Sequence, residues 1–334
     1  MIKRVLVYLT CVSAVACGSS SPSAPSTTSS SSTLSAPTSF TIASQQVTMT
    51  SNLVGLSWSG SGSTYKVTAG TTSGASDLLT ADVTGTTYTW TAPRTGSIFY
   101  VRVAATGGGQ TSTASTELPV FTIDMRNVID ALFFGYGPMS DANGRGPAST
   151  VAVWPDGATI SVLVTDQAGA ASLTAAQTFV ADYLAATSNF ISVNISTTPT
   201  PYTGLPLLSV PNNTVIVRVD NTVCPGAGII ACAFYGPTPY GTGRSTVNLN
   251  AAPTSNTPDS WKAIAHEIGH AFGLHHLVQT ASARAEFKFL LNPTLVAEQL
   301  SAVEKTALAE ARKGGIRNGW TRTQAFAAGL VLPQ

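Results

Sequence analysis

Only four histidines occur in the 334 residues, and all four fall within one run of eleven, His266-Glu267-Ile268-Gly269-His270-Ala271-Phe272-Gly273-Leu274-His275-His276. Histidines kept for packing or solubility would be scattered, so this confinement points to a shared task. On a helix, His266 and His270 stand one turn apart on the same face. Two imidazoles so placed can hold one metal ion at about 2.0–2.1 Å each. Glu267 sets a carboxylate beside the open position of that ion. Gly273 can adopt the positive φ that ends a helix, and the returning chain then offers His276 as a third nitrogen. Three protein ligands with a fourth position left open is the arrangement of a catalytic zinc site rather than a structural one. His275 is expected to face solvent, the other reading being a ligand shifted by one residue. On the same wheel Trp261, Ile264, Ile268 and Phe272 form an apolar side, with His266 and His270 about 200° from Ile264 and Ile268.

With the glycine and the third histidine at these offsets, the run resembles the zinc-binding signature of the metzincin metallopeptidases. The resemblance extends over most of residues 123–334. It implies a twisted sheet above an active-site helix and one catalytic Zn2+ held by His266, His270 and His276. It further implies Glu267 as general base and, beneath the metal, a turn that carries Met in the family. No Met follows the run here, since the four are Met1, Met49, Met125 and Met139. Leu291 takes that place, in Leu291-Asn292-Pro293, which resembles the Met-x-Pro turn of matrixin-like members. Leu and Met are close in volume and both apolar.

Substrates of the family lie antiparallel along a sheet edge. The candidate rim strand is Ala231-Cys232-Ala233-Phe234-Tyr235, an interior strand being the equal alternative. The implied activity is hydrolysis of protein or peptide substrates by an endopeptidase. The competing reading is a non-catalytic surface adhesin with a vestigial zinc site. Because no other histidine exists, a second His-bound structural zinc is excluded. Calcium has no supporting motif; Asp141, Asn143 and Asp220 are candidates no better than chance.

The rest of the chain sets the context. Lys3 and Arg4 precede a short apolar stretch, Val5 to Ala16, which reads as an export signal over residues 1–16. It is too short to span a bilayer as a helix. Ala14-Val15-Ala16-Cys17-Gly18 resembles a bacterial lipobox, which implies lipidation at Cys17. Cleavage after Ala16 with plain secretion is the alternative. The expected location is therefore the bacterial cell envelope, as a lipoprotein, or the medium, and any membrane attachment would be through the lipid alone. Residues 17–37 form a Ser/Pro-rich tether. Export makes a disulfide between Cys224 and Cys232 the natural reading, worth about 2.5 kcal/mol by loop closure. Charged residues make up 10% and net charge is +1, so no nucleic-acid footprint is expected. The protein is expected to be a monomer.

Residues 38–122 alternate in short strands broken by Gly, Ser and Thr, a pattern for an antiparallel sandwich. They resemble a fibronectin type III domain, which implies a buried Trp58 packing near Tyr100. Residues 123–334 change period. Strands are expected at Thr159–Asp166, Asn213–Asp220, Ala231–Tyr235 and Ser245–Asn250. Helices are expected after a Thr174 cap, from Pro258, and from Ser301 with Glu304 completing a capping box. The fold class is thus multi-domain: an all-β sandwich, then an α/β (α+β) domain built on a twisted sheet and an active-site helix.

Overall fold

The computed structural model describes residues 33–141, 147–196, 210–224, 229–237, 243–251, 258–278, 288–293, 297 and 299–333. The export signal, Cys17 and most of the tether lie outside the described residues, as do Asn143 and the Pro-Gly-Ala-Gly turn after Cys224.

Eight strands build the first module: β1 (Thr38–Val47), β2 (Asn52–Ser59), β3 (Thr64–Gly70), β4 (Leu79–Val83), β5 (Thr87–Ala92), β6 (Ile98–Gly107), β7 (Gln110–Ala114) and β8 (Leu118–Phe121). One sheet has the order β1-β2-β5 and the other β4-β3-β6-β7, with β8 continuing beside β6. All the pairings are antiparallel. This strand order is that of a fibronectin type III-like sandwich. Alternation does the folding work: in β6, Phe99, Val101, Val103 and Ala105 point inward while Tyr100, Arg102 and Ala104 point outward. Trp58 is buried, but its aromatic partner is Tyr65, with ring centroids 5.5 Å apart, and not Tyr100. The period of two puts Tyr100 on the outer face, and Phe99 takes the inward place against Trp90.

The second module opens with α1 (Met125–Phe134), capped by the Asp124 side chain and closed by Gly135 at φ 66. Next come β9 (Thr159–Val164), α2 (Gly169–Ala186), β10 (Ser192–Ile195), β11 (Thr214–Val219), β12 (Ala231–Gly236) and β13 (Arg244–Leu249). Then follow α3 (Pro258–Ala271), α4 (Ala302–Lys313) and α5 (Arg322–Ala327). The sheet order is β10-β9-β11-β13-β12. Four strands run parallel, and β12 is the antiparallel edge. Central β11 is buried along nearly its whole length, as a covered parallel strand should be.

Helix α2 starts five residues before Thr174, whose hydroxyl donates back to the Ala170 carbonyl inside the helix rather than capping it. Helices α3 and α4 begin at the Pro258 and Ser301 signals. Phe179 and Tyr183 of α2 meet Phe272 at centroid distances of 5.4 and 5.0 Å, and all three are buried. This aromatic knot seats α3 on the sheet side of the core and turns its opposite face outward.

Each module has its own core. Val54, Leu56, Tyr65, Val67 and Val103 belong to that of the sandwich, while Val47 and Phe121 of the first module join the apolar cluster of Ile123, Met125, Ile129 and Leu291 in the second. The Asn52 amide, itself buried, donates to the Ile123 carbonyl at 2.8 Å and accepts from the Ile123 N–H at 3.2 Å. Gln45 donates to the Phe121 carbonyl at 2.6 Å.

Candidate metal centre

Helix α3 carries His266 and His270 one turn apart and ends in a reversal at Gly273. Gly273 sits at φ 92, its N–H donates to the His270 carbonyl at 2.9 Å, and Leu274 N–H donates to Gly269 at 3.0 Å. A Cβ at Gly273 would collide with the Ala152 carbonyl oxygen, so both the dihedral and the space demand glycine. The returning segment brings the His276 ring back to the other two. His275 is not solvent-facing: it is buried at 4% exposure, with its N–H donating to Leu132 at 2.8 Å. The reason is local, because Leu274 and Leu277 on either side both enter the core and draw the segment inward.

The three rings converge by their Nε2 atoms. His266 Nε2 lies 3.1 Å from His270 Nε2 and 3.2 Å from His276 Nε2. Each Nδ1 faces an acceptor: the Leu290 carbonyl at 2.8 Å, the Leu274 carbonyl at 2.7 Å and Asp141 Oδ2 at 3.1 Å, for His266, His270 and His276 in turn. These partners assign the ring proton to Nδ1 in each case. Burial also keeps the rings neutral, lowering His266 to about 4 and moving His270 and His276 down as well. Three bare nitrogen lone pairs therefore face one another with no donor hydrogen between them. That contact is repulsive unless a cation occupies the centre. A tetrahedral ion with ligands at about 2.0–2.1 Å requires nitrogens roughly 3.3–3.4 Å apart, close to the spacing found, so the donor set fits zinc. Among the described residues this trio is the group able to hold a metal ion.

Glu267 lines the same cleft, of about 380 Å3, together with His270 and His276. The opposing wall is Ile229 and Ala231 to Phe234. Burial pushes Glu267 up to about 7, against the Ala233 N–H, which donates to its carboxylate. Strand β12 pairs only with β13 among the described residues, so its outer edge is open along the cleft. Of the rim residues, Ala231, Ala233 and Phe234 line the cleft; Tyr235 lies in β12, its side chain outside the described set. Cys224 and Cys232 are disulfide-bonded, which ties the edge strand to the segment after β11. Leu291 is fully buried and packs against helix α3 at Gly269. The calcium candidates are otherwise engaged: Asp141 with His276, and Asp220 with Arg218 at 3.0 Å and with Thr222.

Several partners at this site have no local sequence signal. Asp141 stands 135 residues from His276, and the Leu290 and Leu274 carbonyls and the Ala233 N–H are backbone groups. Ile229, 41% exposed at the mouth of the cleft, was likewise not marked by any motif.

No protein-family profile matches the chain, and no curated protein matches it. Solved structures similar to part of it are fibronectin type III domains. The FN1–FN3 domains of chicken CNTN1 are 13% identical over 27% of this chain and 31% of that one, with a TM-score of 0.23. The FN5 domain of Drosophila Lar is 16% identical over 27% of this chain and 97% of that one, with a TM-score of 0.23. A Fn3-like protein from Clostridium thermocellum is 26% identical over 26% of this chain and 92% of that one, with a TM-score of 0.22. The chain spans about a third or less of the length of the first three structures matched.

Proposed function

We propose that the chain is a zinc-dependent endopeptidase of metzincin type, exported as a lipid-anchored envelope protein or freely secreted. The observation that carries this reading is the set of three Nε2 lone pairs, each ring locked by an acceptor at Nδ1, gathered beside a half-buried carboxylate. A zinc ion held there would acidify a bound water and polarise a scissile carbonyl.

The chain's own residues supply the rest. Glu267 takes the proton from the attacking water and returns it to the leaving amine. Burial raises Glu267 above the ordinary carboxylate range in the metal-free protein, and a bound cation would pull it back toward the ionised form that accepts a proton. The Ala233 N–H fixes one face of that carboxylate. The open edge of β12 offers backbone donors and acceptors to an extended peptide, which would lie along the wall that carries Ala233. Ile229 and Phe234 contribute apolar surface beside it.

The test uses the full mature chain, since Val47 and Phe121 of the sandwich pack into the second module's apolar cluster. One zinc per chain, and cleavage of an unfolded protein that stops on chelation, is the expected result. Glu267→Gln should retain zinc while cleavage falls about 10²–10⁴-fold. A Glu267→Gln protein as active as the parent would refute the assignment of the base. Absence of zinc from the purified protein would return the chain to the adhesin reading.

A further inference from the structure

The capping box of α4 contains an excess. A cap needs one carboxylate oxygen, reached by the Ser301 N–H at 2.8 Å. Glu304 does this with Oε2, which also accepts from the Ser301 hydroxyl at 2.8 Å. Yet the same side chain accepts two further bonds, from Leu290 N–H to Oε2 and from Leu291 N–H to Oε1, both at 3.0 Å. It is fully buried, 0% exposed, whereas a glutamate serving only as a cap sits at the surface. Burying a carboxylate is costly unless donors surround it, and two of its four donors come from one dipeptide.

That dipeptide faces the histidines with its other side. The Leu290 carbonyl accepts from His266 Nδ1 at 2.8 Å. The Leu291 carbonyl accepts from the Leu277 N–H at 3.0 Å, next in the chain to His276. The Leu291 side chain rests on Gly269, between His266 and His270. One turn thus supports the His266 ring directly and touches Gly269 and Leu277, chain neighbours of His270 and His276, while Glu304 grips both of its N–H groups.

We propose that Glu304 is a positioning residue for the metal centre, holding the Leu290–Leu291 turn so that the turn's two carbonyls fix the His266 ring and the segment leading on from His276. This rests on the reading of the three histidines as a metal site. Groups that orient metal ligands in this way change metal affinity by about 10–100-fold when lost.

The experiment compares the parent protein with Glu304→Gln, Glu304→Asp and Ser301→Ala. It measures zinc affinity by chelator competition, the visible spectrum of the cobalt(II)-substituted protein, and thermal unfolding of the metal-free chain. Gln places an N–H2 against the turn's donors, and Asp is one methylene too short to serve both cap and turn. Both should weaken zinc about 10–100-fold and shift the cobalt bands. Ser301→Ala removes the hydroxyl leg of the cap but leaves the turn gripped, so it should lower unfolding temperature and keep parental affinity and spectrum. Glu304 variants that fold and bind with parental affinity and spectrum would overturn the proposal. So would Ser301→Ala weakening zinc as much as they do, or the failure of both Glu304 variants to fold, since each would leave only a structural role. If the parent protein binds neither zinc nor cobalt, the metal reading itself fails, an outcome distinct from variants that match a binding parent.

Discussion

At Glu267 and His266 the same burial acts with opposite sign, raising the acid to about 7 and lowering the base to about 4. The linkage consequences oppose each other in the metal-free protein. Between about 4.5 and 7 the folded state holds Glu267's proton more tightly than the unfolded chain, so that group's stabilisation is lost as pH rises through the window. Between about 4 and 6.5 the unfolded chain binds protons at His266 that the folded state refuses, so that contribution grows with pH. His270 and His276 are lowered too and add to the second trend. Glu304, raised by burial as well, adds to the first trend. Three bases outweigh two acids, so metal-free protein should gain stability from pH 4 to 6.5, read by urea midpoints across buffers. A midpoint falling over that range would refute the balance. The three clustered histidines and Glu267 were legible in the sequence because one helical turn and one glycine set their spacing. The parts Asp141 and Glu304 play here were not, because an orienting contact over 135 residues, or a carboxylate accepting from a distant backbone N–H, leaves no pattern along the chain.

Among the elements, α3 depends on how it ends. Replacing Gly273 by Ala would impose a side chain at φ 92 and against the Ala152 carbonyl. The ranges for a strained dihedral and for overpacking together suggest a loss of roughly 2–6 kcal/mol, with His276 displaced and metal binding lost alongside. Denaturant unfolding and zinc titration of Gly273→Ala check this; a change below about 0.5 kcal/mol would show that the turn tolerates a Cβ. The starts of α3 and α4 could be read from Pro258 and Ser301, because caps are local chemistry. Helix α1 could not be read from its interior, Met125 to Phe134, which holds Val, Ile, Asn and two Phe, weak helix formers. Tertiary packing makes it helical, with eight of its ten residues buried. Asp124 and Gly135, at its two ends, were the local signals available. The edge position of β12 came only as one of two equal alternatives, through the family resemblance, since strand order is a property of crossovers and not of composition.

For the molecule as a whole, the seam between the modules ties the sandwich to the second domain. Val47 and Phe121 would lose apolar surroundings if the modules parted, and Asn52 would lose both bonds to Ile123. Calorimetry of the mature chain should therefore show one transition for both modules. Asn52→Ala leaves the Ile123 N–H and carbonyl unpaired at about 1–3 kcal/mol each and should split or broaden that transition. Two separate transitions in the unaltered protein would mean that the modules fold independently. The exposed edge of β12 has one more consequence. A groove that grips any extended chain by its backbone would, on the peptidase reading, also accept the linker of a neighbouring copy and digest it. Residues 17–37 contain Pro22, Pro25 and Pro37, none of which has an N–H to offer an edge, so a neighbour's tether could lie along the groove only between these positions, over residues 26–36.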